Sequence, residues 1–127
     1  MNWDNYPNFS ESEFACKHTG ECHMDEDFMD MIQMLRDEYG RPMTITSGYR
    51  HPTHPIEASK TSPVPGAHTT GNACDIGCRG TAAYEILNLA LAIGFTGIGV
   101  SQKGDVRFLH LDNLTGENRL RPTVWSY

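Results

Sequence analysis

The chain has 127 residues, of which 39% are hydrophobic and 20% charged, and its formal net charge is -6. That length fits one domain spanning residues 1–127 with a modest core, and the composition argues against disorder throughout. No run approaches the roughly 18 apolar residues of a membrane span, Met1-Asn2-Trp3-Asp4 has none of the basic and apolar segments of a signal peptide, and the scattered Lys and Arg form no basic stripe. A membrane and a nucleic acid are therefore not expected partners. The acidity is placed early, with ten Asp and Glu against Lys17 and Arg36 in residues 1–40.

In chain order, Ser10 and Glu13 read as a capping box with Phe9 and Phe14 as its hydrophobic staple, which predicts a short helical turn. Asp25, Glu26 and Asp27 suit the positive end of a helix dipole. Phe28, Met31, Ile32 and Leu35 then recur at helical spacing until Gly40 and Pro42, so a helix is expected over 25–39. Residues 43–47 are β-prone. From 50 to 72 come Pro52, Pro55, Pro63, Pro65, Gly66 and Gly71, too many breakers for a regular element, and a long loop is expected. Thr81 reads as the cap of a helix over 82–93 with Ala83, Ile86, Leu87, Ala90 and Leu91 on its apolar face and Gly94 at its end. Residues 98–101 and 106–111 flank Gln102-Lys103-Gly104-Asp105 in the form of a β-hairpin.

Long structureless stretches inside a small domain are usually functional. Around the 50–72 loop lie His68 and Asp75, and the second hairpin strand contains His110. Two imidazoles and one carboxylate suit a catalytic Zn²⁺, which keeps three protein ligands and leaves a fourth position to water. Two His and an acid can be drawn by chance from six His and sixteen acids, so the surrounding motifs decide.

Those motifs are Ser47-Gly48-Tyr49-Arg50-His51-Pro52, Gly66-Ala67-His68 through Cys74-Asp75-Ile76, Gly97-Ile98-Gly99-Val100, Phe108-Leu109-His110-Leu111-Asp112 and Arg121-Pro122-Thr123-Val124-Trp125-Ser126-Tyr127. Together, and in this order, they resemble the zinc D-alanyl-D-alanine carboxypeptidases. That group shares a superfamily with lysostaphin-type enzymes and the hedgehog signalling domain, and includes phage endolysins that cut L-alanyl-D-glutamate bonds. The resemblance implies an α+β fold, with a small antiparallel sheet carrying the zinc site and helices 25–39 and 81–93 on its other face. It implies Zn²⁺ on His68, Asp75 and His110, and Arg50 as the residue that contacts substrate and stabilises the oxyanion. A guanidinium suits that role, the plainer alternative being a surface salt bridge.

The implied activity is hydrolysis of peptidoglycan stem peptides, as a D,D-carboxypeptidase or an L-Ala-D-Glu type endopeptidase, by a monomer acting at the bacterial cell wall in the manner of a phage lysin. Two departures bear on it. Many relatives carry an acid three residues before the last zinc His, and here that residue is Arg107, which accepts no proton. Asp112 shares the strand face of His110 and is expected to be either the general base or the partner orienting a ligand His. Gly66 stands where relatives commonly have Ser.

Tyr49 and His51 are candidate substrate-binding residues, Tyr49 with the alternative of core packing, and His51 and His54 with that of exposed loop histidines. Cys16, Cys22, Cys74 and Cys78 are expected as free thiols or disulfides, a second zinc at Cys16, His18, Cys22 and His23 being the less favoured reading. A zinc-stabilised binding module without turnover is the alternative to an enzyme, supported by the missing acid at Arg107. A third reading is a structural lysin of a phage particle.

Overall fold

The computed structural model describes residues 1–62, 64–117 and 119–127. Pro63, one of the breakers in the 50–72 stretch, lies outside the described residues. Four α-helices and five strands follow in the order α1 (Glu11–Phe14), α2 (Glu26–Tyr39), β1 (Thr44–Ser47), α3 (Pro55–Ala58), β2 (Ala73–Gly77), α4 (Gly80–Ile93), β3 (Gly97–Ser101), β4 (Phe108–Asp112) and β5 (Thr123–Ser126), with 3-10 turns at Trp3–Asn5 and Ala67–Thr70.

The first two helices form as their caps dictate. The Glu13 carboxylate accepts the Ser10 backbone N–H at 2.8 Å, and the Phe9 and Phe14 rings meet edge to face at 5.6 Å. Asp25 accepts the Phe28 N–H at 3.0 Å, and Gly40 ends α2 at φ 72, a backbone shape open to glycine. Helix α4 begins at Gly80, ahead of the expected Thr81 cap, and its buried face is Ala83, Ile86 and Ala90. Leu91 is instead 61% exposed, because the packed stripe is narrower than the apolar one.

The long loop expected over 50–72 is interrupted by α3 and by the 3-10 turn. Proline does not forbid α3 because Pro55 occupies its first turn, where a backbone N–H has no helical partner, and His54 Nδ1 accepts the Ile56 N–H at 3.2 Å.

The sheet order is β1-β2-β4-β3-β5. The fold is α+β as expected, but the sheet is mixed rather than antiparallel: β5 joins β3 in parallel, with Gly99 opposite Trp125. The hairpin of β3 and β4 closes at Ser101 and Phe108, so its loop runs over 102–107. Strand alternation separates two faces. Ile76, Ile98, Leu109 and Leu111 share one core with Phe28, Ile32 and Leu35 of α2 and Ile86 and Ala90 of α4. Each such aliphatic side chain contributes about 1.5–3 kcal/mol on burial. Asp75, His110 and Asp112 occupy the alternate positions of β2 and β4, on the face away from α2 and α4.

Candidate metal centre

Asp75 and His110 lie directly opposite each other on β2 and β4. His68 does not come from the sheet, contrary to expectation, but from the 3-10 turn that precedes β2. Gly71 closes that turn at φ 78, where a Cβ would run into the His23 carbonyl. His68 Nδ1 lies 2.7 Å from the Gly48 carbonyl. A carbonyl only accepts, so Nδ1 carries the proton and Nε2 presents its lone pair, 3.3 Å from Asp75 Oδ1.

His110 is fixed the other way round. Its Nε2 donates to Asp112 Oδ2 at 2.7 Å, which turns Nδ1 toward Asp75 Oδ1 at 3.2 Å. Asp112 is fully buried and receives Arg121 Nε on Oδ1 at 2.9 Å and Nη2 on Oδ2 at 2.8 Å. Burial pushes its carboxyl up, but the hydrogen bonds from His110 and Arg121 outweigh it and hold Asp112 well below the usual carboxylate range. Its two oxygens thus accept from His110, from Arg121 and, at 3.3 Å, from the Leu114 N–H. Gly97, opposite Asp112 on β3, leaves the space: a Cβ there would collide with the carboxylate.

His68, Asp75 and His110 are all buried, and one ligand atom from each lies within 4.8 Å of the others. Donor atoms of a tetrahedral zinc, each about 2.0–2.2 Å from the ion, stand about 3.3–3.6 Å apart, close to the 3.3 and 3.2 Å found at Asp75 Oδ1. That oxygen is buried without a hydrogen-bond donor, because both nitrogens facing it present lone pairs when the imidazoles are neutral. A divalent cation satisfies all three atoms at once, so these residues fit a metal.

The centre forms the floor of a cavity of about 420 Å³. Arg50 and Lys60 stand on one side, and Phe108, Trp125 and Tyr127 supply an aromatic wall. Trp125 lies over His110 with ring centroids 5.0 Å apart, and Gly99 makes room for its indole. Arg50 Nη1 donates to Glu57 Oε2 at 3.2 Å, and Nη2 lies 3.7 Å from Asp75 Oδ2. Its backbone N–H donates to the His68 carbonyl, tying the two site segments together.

The remaining candidates are placed elsewhere. Tyr49 is buried as part of the core cluster, with its ring against that of His23, centroids 5.1 Å apart. His51 Nδ1 pairs with Thr53 Oγ1 at 2.8 Å, while His54 caps α3, and neither lines the cavity. Arg107 turns back on the Gly104 carbonyl at 3.0 Å, beside Arg79 and Asp105 on a separate surface hollow. Gly66 has a steric reason: its Cβ would enter the space of the Glu57 carboxylate and the Lys60 ammonium.

All four cysteines are free thiols. Cys16 Sγ accepts the His51 N–H at 3.2 Å, and among the described residues the His68, Asp75 and His110 cluster is the only such group, so no second one forms around Cys16 and Cys22.

Sequence reasoning gave no site role to Glu57, Lys60, Arg121, Trp125 or Tyr127. The period-two spacing of Trp125 and Tyr127 was the available signal for the aromatic wall. For Arg121 there was none, since its pairing with Asp112 is visible only once β5 is docked.

These features define a small α+β domain whose mixed sheet and the 3-10 turn before β2 bring together a His-Asp-His cluster able to hold a metal ion at the base of an open cavity. The family model described as peptidase M15 matches residues 7–112. The chain belongs to the peptidase M15 family, as the motif resemblance implied. No curated protein matches the chain significantly.

Proposed function

We propose that the protein is a zinc-dependent peptidase acting on peptidoglycan stem peptides. The observation that carries this reading is the buried Asp75 Oδ1, which faces two imidazole lone pairs at the base of a cavity in a peptidase-family chain. His68 Nε2, Asp75 Oδ1 and His110 Nδ1 would hold the ion. When bound, Zn²⁺ acidifies its water and polarises the scissile carbonyl.

The chain's own residues do the rest. Asp112, held by Arg121, keeps the proton on His110 Nε2 and leaves Nδ1 free to ligate. Arg50 presents a permanent charge to a substrate carboxylate or to the oxyanion. Trp125, Tyr127 and Phe108 cover apolar parts of the peptide and limit water at its back. The partner in this reading is a peptidoglycan peptide, met at the cell wall by a monomer in the manner of a phage lysin, with neither nucleic acid nor membrane involved.

A second reading is favoured by one observation. Among the described residues, Asp75 is the only carboxylate lining the cavity, and it is a proposed ligand. A module that binds muropeptides without cleaving them has no need of a separate base.

Zinc-loaded protein incubated with stem-peptide fragments separates the two, with products read by mass spectrometry. Cleavage that His68→Ala abolishes supports the enzyme, and release of terminal D-alanine or of internal fragments assigns the bond. Asp112→Asn, which keeps the shape but weakens the hold on His110, is expected to lower zinc affinity about 10–100-fold, with turnover returning at saturating zinc. Peptide binding with no product from any form overturns the peptidase reading.

A further inference from the structure

Behind Arg50 lies a carboxylate to which the peptidase reading gives no role. Glu57 of α3 has a side chain only 2% exposed. It receives Arg50 Nη1 at 3.2 Å on Oε2, and Lys60 Nζ at 2.9 and 3.0 Å on its two oxygens. Burial pushes the Glu57 carboxyl up, yet the hydrogen bonds from Lys60 and Arg50 leave it below its ordinary value, so it stands as an anion between two cations. Gly66 admits this arrangement by having no side chain of its own.

On its other edge, Arg50 Nη2 stands 3.7 Å from Asp75 Oδ2. That is longer than a hydrogen bond, whereas an arginine free to choose closes on a carboxylate at about 2.7–2.9 Å, often with two bonds. The guanidinium therefore lies between two buried carboxylates and is bonded to one. Without Glu57, its nearest anion is Asp75. A guanidinium closed on Asp75 Oδ2 would leave Oδ1 facing the two imidazoles, but it would draw negative charge away from that ligand oxygen and place an unbalanced positive charge beside the ion.

We propose that Glu57 is a positioning residue that holds Arg50 back from Asp75, keeping the negative charge of that carboxylate for the metal while the guanidinium faces the cavity. The proposal rests on His68, Asp75 and His110 being the metal centre. Glu57 touches neither metal nor substrate in this role and acts through Arg50.

The test is zinc affinity, measured by competition with a chromophoric chelator on folded protein, for wild type, Glu57→Gln, Arg50→Ala and the double variant. Glu57→Gln is expected to weaken zinc binding about tenfold, in the range seen when a partner behind the ligands is removed. Arg50→Ala should not weaken it, and the double variant should match Arg50→Ala, because the effect passes through the guanidinium. Gly66→Ala reaches the same end by pushing Glu57 aside, at a backbone φ of -59 that suits alanine. It should reproduce the weakening with the same dependence on Arg50, and it serves where Glu57→Gln fails to fold.

An affinity within twofold of wild type in Glu57→Gln overturns the proposal. So does a loss that persists when Arg50 is absent, which marks a purely structural role. Failure of the wild type itself to bind zinc is a separate result, contradicting the metal centre and the proposal with it.

Discussion

The two ring nitrogens of His110 are committed to different partners, and this decides how the centre responds to pH. Burial lowers the proton affinity of the imidazole, but the Asp112 and Asp75 carboxylates raise it further, so its pKa lies above the ordinary 6.5. A proton on Nδ1 and a metal ion compete for the same lone pair. Metal affinity is therefore complete above the raised pKa and is lost as pH falls through it, by about tenfold per pH unit for one displaced proton. Zinc titrations from pH 8 down to pH 5 check this, and a flat profile would contradict it. At this scale the cluster of His68, Asp75 and His110 was legible because the three lie inside compact motifs. The full set of contacts at Asp112 was not, since part of it comes from Arg121, nine residues further along and across a turn.

At the scale of elements, local signals carried furthest where caps and periodicity agreed. Helix α2 has its Asp25 cap, its buried Phe28, Ile32 and Leu35, and its terminal Gly40. The alternation of β4 placed His110 and Asp112 on one face before any pairing was known. What escaped was non-local or masked by breakers. Strand β5 has four residues and pairs in parallel with a strand more than twenty residues earlier, while α3 is hidden by the same Pro55 that begins it. Helix α4 offers a direct check on its corrected face. Ile86→Ala, at 2% exposure, should cost about 2–5 kcal/mol of unfolding free energy, whereas Leu91→Ala, at 61% exposure, should stay within about 0.5 kcal/mol. Urea unfolding of the two variants measures both, and equal losses would place Leu91 in the core after all.

Over the whole molecule, the negative charge and the site are distributed differently. The acids concentrate in residues 1–40, while the cavity wall carries Arg50 and Lys60, so the net charge of -6 does not describe the surface a substrate meets. The thiols are another property of the assembled fold. Burial pushes Cys22 and Cys78 up to about 11, and raises Cys74 well above the ordinary thiol value. At pH 8 such a thiol is about 0.1% thiolate, so Cys22 and Cys78 should react with a disulfide reagent far more slowly in the native state than in urea. The same shift makes native stability fall as pH rises from about 9, where the unfolded thiols ionise, toward 11. Native and unfolded labelling rates within a factor of ten would count against this placement of the thiols.

The centre on His68, Asp75 and His110 supports every functional statement above, and zinc stoichiometry after equilibrium dialysis, read by elemental analysis, tests it most directly. The expected result is one zinc ion per folded wild-type chain at neutral pH, lost in His68→Ala while the fold is retained. Wild-type protein that is folded yet holds no stoichiometric zinc, or a His68→Ala variant that holds as much as wild type, would contradict the account.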